Sequence, residues 1–257
     1  MKAVILAGGL GTRLSEVTQV IPKPMVEIGG RPILWHILKI YSAHGVNDFI
    51  ICCGYKGYAI KEYFANYFRH TSDLIVNLKE NSIELLNNNS EPWSITLVDT
   101  GLSSMTGSRV KKIQKYLDDE TFLLTYGDGV GDVDISESII NHKKSGKILS
   151  VTAYRPEGRF GALDIQTNGD VSEFREKPIG DGSWINAGFF VCEPSLFDYL
   201  PENENLIFEK EPMEKLALDG KMRANKHYGF WKPMDTMRDN LELNNLWEND
   251  LAPWKVW

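Results

Sequence analysis

Short, solid apolar runs alternate along the chain with longer stretches in which apolar positions recur every three or four residues, the pattern of strands wound against helices. Lys2 to Ala7 reads as a buried strand, Pro32 to Ala43 as a helix with proline in its first turn and Gly45 near its end, and Asp48 to Cys53 as a second strand. Helical spacing returns from Gly57 to Phe68, Trp93 to Asp99 alternates like a strand, and Arg109 to Leu117 is helical again. Thr121 to Tyr126 is a β-rich run that stops at Gly127-Asp128-Gly129. This order predicts an α/β fold of Rossmann-like type, a mostly parallel, mixed central sheet flanked by helices. The second half is less regular. Strands are expected at Leu149 to Tyr154, Ala162 to Gln166, Val171 to Arg175 and Ala187 to Cys192, with a turn at Thr167-Asn168-Gly169-Asp170. Helices are expected from near Ile135, from Ser195 to Leu200, from Pro212 to Leu218 and from Thr236 to Trp247.

With 257 residues, 42% of them hydrophobic, and no long linker, the chain fits one large domain spanning 1–257. The 28 basic and 35 acidic residues leave a formal charge of −7, which argues against a general nucleic-acid binder and confines any anion-binding charge to a local site. No apolar run is long enough to span a bilayer and the chain opens on a strand and not on a leader, so no membrane association and a cytoplasmic setting are expected. Three cysteines form neither a disulfide framework nor a metal cluster. Cys52 and Cys53 fall on opposite faces of a strand, as packed thiols.

The candidate chemistry sits where strands end. Gly8, Gly9 and Gly11 follow the first strand and free the backbone to approach a ligand; if a short helix begins near Thr12, its unpaired amides and Arg13 add an anion site. Prolines 22 and 24 fix the backbone around Lys23. Two commoner glycine motifs do not fit. No lysine follows in the P-loop register, and Leu14 stands where a dinucleotide fingerprint needs its third glycine. Taken alone, the glycines are equally compatible with an ordinary strand-to-helix turn.

The string Gly8-Gly9-Leu10-Gly11-Thr12-Arg13 with Pro22-Lys23-Pro24 resembles the signature of the sugar-phosphate nucleotidyltransferases, and the resemblance continues through Tyr126-Gly127-Asp128-Gly129, Glu176-Lys177-Pro178, Ile185-Asn186-Ala187-Gly188 and Trp231-Lys232-Pro233-Met234-Asp235-Thr236. It spans nearly the whole chain. It implies a nucleotide-binding half to about residue 134 and a β-rich sugar-binding half from about residue 135. It also implies transfer of a nucleotidyl group to a sugar 1-phosphate with release of pyrophosphate. Leu6, Ala7, Gly8, Gly9, Gly11, Thr12, Arg13, Lys23 and Asp128 would then hold the nucleotide, and Arg13, Lys23 and Lys177 would carry the chemistry. Gly129, Glu176, Lys177 and Asn186 would face the sugar, and Asp128 and Asp235 would bind Mg2+, which needs only one or two carboxylates beside substrate phosphates. Each aspartate has a plain alternative, an Asp-Gly turn for Asp128 and a helix N-cap for Asp235.

For the base, the serine-rich stretch Gly101 to Arg109 resembles the cytidylyl-transferring members, with Ser104 and Arg109 as contacts. The implied substrates are CTP and glucose 1-phosphate, the implied product CDP-glucose for deoxysugar and O-antigen lipopolysaccharide synthesis; UTP or dTTP, or a non-catalytic nucleotide-sugar-binding subunit, are the alternatives. Arg109 could instead belong to a solvated basic face with Lys111-Lys112. A homo-oligomer is expected, and Trp247, Trp254 and Trp257 read as a docked tail or an interface.

Overall fold

The structure, a computed structural model, describes residues 1–11, 14, 18–156, 162–166, 170–175 and 183–257, with the backbone alone for 162–165 and 173–175. Seven strands form the central sheet: β1 (Ala3–Leu6), β2 (Asp48–Cys53), β3 (Ser94–Asp99), β4 (Phe122–Tyr126), β5 (Leu149–Tyr154), β6 (Ile185–Cys192) and β7 (Met222–His227). Their spatial order is β7-β5-β6-β4-β1-β2-β3. Only β6 runs against the others, pairing antiparallel with both β5 and β4, so the sheet is mixed and mostly parallel as the alternation predicts.

Helices cover both faces: α1 (Ile33–Ala43), α2 (Gly57–Ala65), α3 (Thr106–Lys112), α4 (Ile135–Ser145), α5 (Glu211–Leu218) and α6 (Met237–Glu248). The period-2 pleat splits the core in two. Ile5, Phe49, Ile51 and Cys53 pack toward α1, while Val4, Leu6, Ile50 and Cys52 pack toward α3 on the other face. The adjacent cysteines are thus divided between the faces as expected. All three thiols are buried, and burial raises the Cys53 pKa to about 11, keeping it a protonated packing group.

Several boundaries differ from the periodicity for local reasons. Pro32 is the N-cap of α1 and not part of its first turn. The run from Gly57 to Phe68 breaks at Asn66, whose side chain donates to the Glu62 carbonyl at 2.9 Å, and a separate short helix covers Tyr67–Thr71. α3 begins three residues before Arg109, and its run closes in a 3-10 turn at Gln114–Tyr116. Residues 167–169 of the predicted turn lie outside the described residues; the Gln166 N–H donates to the Asp170 carbonyl at 2.8 Å across that gap. Strand β7 lies outside the sequence expectation. Its sequence, Met-Arg-Ala-Asn-Lys-His, has no apolar alternation because it is a charged sheet edge.

The tryptophan-rich end docks within the chain. Trp254 is fully buried, and its indole N–H donates to Nδ1 of His36 at 3.3 Å. An indole only donates, so Nδ1 must accept, and the His36 proton sits on Nε2, 2.8 Å from the Ile28 carbonyl. Burial lowers the His36 pKa to about 4, against 6.5 when unfolded. The unfolded chain therefore binds the extra proton first. The stabilisation is complete above about pH 6.5 and is lost as pH falls toward 4. Denaturant unfolding should show this site costing about 2 kcal/mol between pH 7 and pH 5. A His36→Gln variant should lose that part of the pH slope, and an unchanged slope would overturn the assignment.

Candidate active site

The order β3-β2-β1-β4 reverses direction between β1 and β4, since the chain winds outward from β1 to β3 and returns on the other side of β1 to make β4. Ligands in such sheets sit beyond the carboxyl ends of the strands flanking that reversal. Here those ends are level, with Leu6 opposite both Tyr126 and Cys52, and they lead into Gly8-Gly9 and Gly127-Asp128. The Gly127 N–H donates to the Leu6 carbonyl at 3.0 Å, and the Ala7 N–H to the Cys52 carbonyl at 3.1 Å. Leu6 and Ala7 thus belong to the sheet ladder, and the chain first becomes open to a ligand at Gly9 and Leu10, both exposed.

The three glycines do different jobs. A Cβ on Gly8 would collide with the Arg109 guanidinium, and one on Gly11, at φ +63°, would sit 2.9 Å from Thr18 Cγ2 and 3.1 Å from Lys23 Cβ. Only Gly9 faces open space. Two glycines let the loop pack onto side chains beneath it; one leaves bare backbone toward the cleft.

Lys23 stands at the centre of the cluster. Pro22 and Pro24 bracket it, a 3-10 turn over Lys23–Met25 holds its backbone, and only 9% of the residue is exposed. Its ammonium donates to Asp128 Oδ2 at 2.8 Å and to Asp235 Oδ1 at 2.7 Å. Burial alone would push the Lys23 pKa down; the two carboxylates outweigh it and hold the pKa above the ordinary lysine value. A short antiparallel ribbon brings the carboxylates together. Gly129–Gly131 pairs with Trp231–Pro233 with Pro233 opposite Gly129, and the Met234 N–H donates to the Asp128 carbonyl at 2.8 Å. Asp235 is not the cap of α6. Thr236 takes that place in a reciprocal capping box with Asp239, which leaves the Asp235 carboxylate aimed at Lys23. Asp134, by contrast, is a plain N-cap, accepting from the Glu137 N–H at 2.8 Å, and Asp132 accepts from the Phe230 N–H at 2.7 Å.

Arg109 is 4% exposed, so it is no part of a solvated basic face. Its guanidinium donates to the carbonyls of Gly8 at 3.0 Å and Gly101 at 2.8 Å and to the Thr100 hydroxyl at 2.6 Å, tying the glycine loop to the end of β3. Ser104 Oγ lies 2.6 Å from the Thr100 carbonyl and 2.7 Å from a Glu204 carboxylate oxygen, its single proton serving one of the two, and it accepts from Lys112 at 2.8 Å. Asn186 lies on β6 with its amide nitrogen 3.2 Å from the Tyr126 hydroxyl. Thr12, Arg13, Glu176 and Lys177 lie outside the described residues.

Sequence reading misses Glu209 and Glu204. Glu209 bonds Tyr126 at 2.5 Å and Thr106 at 2.6 Å, yet in sequence it sits in Glu209-Lys210-Glu211, which has the look of a solvated charge run. No spacing signal marks it.

The donor set suits a hard divalent cation. Two carboxylates from distant segments converge on one positive charge, and hard oxygen ligands are what a divalent cation shared with phosphates takes from a protein. No helix among the described residues is long and apolar enough to cross a membrane.

Comparison with known proteins places the chain in a family. The chain is 61% identical over 258 residues to a glucose-1-phosphate cytidylyltransferase of Salmonella typhi and 60% identical over 258 residues to that of Salmonella typhimurium, with both chains covered completely in each case. Among solved structures, HddC from Yersinia pseudotuberculosis shares the fold, with a TM-score of 0.69, 23% identity and coverage of 96% of this chain and 99% of that one. Matched from residue 2 to residue 249, the chain belongs to the nucleotidyl transferase family.

Proposed function

We propose that this chain transfers the cytidylyl group of CTP to α-D-glucose 1-phosphate, giving CDP-glucose and pyrophosphate. The observation that carries the reading is the full-length identity to relatives named for that activity. The site chemistry supports it. A sugar-phosphate oxygen attacks the α-phosphorus, a new P–O bond forms, and the bond to the β-phosphate breaks with its electron pair leaving on pyrophosphate. A phosphate monoester dianion is already a nucleophile near neutral pH, so the protein needs no general base. Its work is alignment and charge neutralisation.

In this reading the exposed Gly9-Leu10 backbone and Lys23 meet the triphosphate, and the family resemblance assigns Thr12 and Arg13 to the same ligand. Entry of the nucleotide exchanges the Lys23 ion pair with Asp128 and Asp235 for one with phosphate. Asp128 and Asp235 would hold Mg2+, which when bound neutralises charge on the triphosphate oxygens. Lys177 takes the sugar phosphate; Gly129, Glu176 and Asn186 take the sugar hydroxyls. Ser104 and Arg109 serve the base side through the loop they anchor. The halves up to and beyond about residue 134 act as one domain, a reading supported by the single sheet in which β6 pairs with β4. Buried, free thiols support a reducing, cytoplasmic setting, and CDP-glucose would feed deoxysugar synthesis.

A homo-oligomer completes the proposal. Leu74–Asn77 pairs with Ser82–Leu85 in a ribbon outside the main sheet, with Leu74 opposite Leu85 and Val76 opposite Ile83. Those four side chains share one face, Val76 54% and Ile83 50% exposed, and Leu78 at the turn is 84% exposed. A two-stranded ribbon with a bare apolar face is marginal in water and calls for a cover. The face carries no charge in a chain of net charge −7, so it is where like-charged copies can approach, and small-molecule substrates require no other protein species.

Incubation with glucose 1-phosphate and each triphosphate, reading pyrophosphate, should give the highest kcat/KM with CTP; faster turnover with UTP or dTTP would move the assignment to that base. Lys23→Ala and Asp235→Asn should each lower kcat by about 100-fold or more while the chain remains folded by circular dichroism. Full magnesium-dependent activity in Asp235→Asn would remove the metal role. Sedimentation should show an oligomer that the double variant Val76→Lys/Ile83→Lys converts to smaller species, and a monomeric parent protein would refute the interface.

A further inference from the structure

Glu209 belongs to no motif, yet it ties together two elements, β4 and α3. One carboxylate oxygen accepts the Tyr126 hydroxyl at 2.5 Å and the other the Thr106 hydroxyl at 2.6 Å. Tyr126 ends β4, two residues before Asp128, and Thr106 opens α3, the helix that carries Arg109. Thr106 is itself fixed, accepting from the Phe208 N–H at 2.9 Å.

A phenol has one proton. Because the Tyr126 proton is committed to Glu209, its oxygen can only accept, and it accepts from the Asn186 amide nitrogen at 3.2 Å. The opposite end of that amide is set the same way, since the Gly188 N–H donates to Asn186 Oδ1 at 2.7 Å. A flipped amide would bring its carbonyl onto an oxygen with no proton to give and its NH2 onto another N–H. Burial, followed by the Glu209 charge, pushes the Tyr126 pKa up, so the phenol keeps its proton. Asn186 is left with one N–H and one lone pair in a single, defined arrangement.

We propose that Glu209 is a positioning residue that fixes, through Tyr126, which hydrogen-bonding groups Asn186 presents to the sugar. The sugar part rests on the function proposed above; the orientation of the amide does not. In kinetics, Tyr126→Phe should raise KM for glucose 1-phosphate about tenfold, the worth of one hydrogen bond to a polar partner, and leave KM for CTP within about twofold. In an Asn186→Ala background the same change should have no further effect, because the phenol would have nothing left to orient. Glu209→Ala should reproduce the sugar-side loss, and Glu209→Gln, whose amide oxygen still accepts from Tyr126, should restore most of it. Equal shifts in both KM values, or additive losses with Asn186→Ala, would overturn the relay.

A second readout needs no turnover. The Asn186 side-chain amide resonances, assigned by their loss in Asn186→Ala, should shift in Tyr126→Phe and Glu209→Ala and return in Glu209→Gln. Unmoved resonances in the first two variants overturn the relay whatever the substrate. Resonances that shift in a protein that does not turn over glucose 1-phosphate would keep the relay and reject the substrate instead.

Discussion

An ammonium group held between two carboxylates organises the site. Asp128 and Asp235 come from segments 105 and 212 residues away from Lys23, and without a cation between them two carboxylates so close would repel. Much of the surrounding architecture makes sense as the means of keeping that triangle. The prolines beside Lys23 fix its base, the ribbon of Gly129–Gly131 with Trp231–Pro233 sets the separation of the carboxylates, and Thr236 takes the N-cap of α6 in place of Asp235. One ammonium facing two carboxylates leaves the triangle itself net negative, so it is a site that gains from a further cation.

Arg109 does for the backbone what Lys23 does for the carboxylates. Its planar fork of donors satisfies carbonyls from the glycine loop and from the segment after β3 together, in a fixed plane that a lysine ammonium does not offer. Gly8 has to lack a side chain because that guanidinium lies directly under it. The loop that would meet phosphate and the loop that would meet the base are therefore one mechanical unit.

The sheet and most of the cluster were legible in the chain because they depend on local rules. Solid apolar runs marked β1, β2 and β4; the pleat placed Cys52 and Cys53 on opposite faces; glycine after a strand marked the carboxyl ends where ligands gather. What could not be read depends on long-range pairing. The edge strand β7 is polar because only one of its sides meets a neighbour, the choice between Thr236 and Asp235 as the cap is settled by Asp239 geometry, and Glu209 gains its meaning only when the chain brings it to Tyr126 and Thr106. The exposed face of the Leu74–Asn77 ribbon is equally silent in sequence, since its leucine and isoleucine positions look like core until no core is found above them.

The lone antiparallel strand also dictates when the molecule can exist. β5 touches β4 only through β6, so during synthesis β5 emerges with no neighbour on either side, and the open edge of β4 waits until residue 192 has been made. Closing that gap joins segments distant in sequence, the kind of contact that forms slowly and leaves strand edges exposed in the interval. The nucleotide-side strands can associate early, but the sheet becomes a continuous whole only when β6 inserts. Substitutions along β6 should therefore be felt first in folding yield.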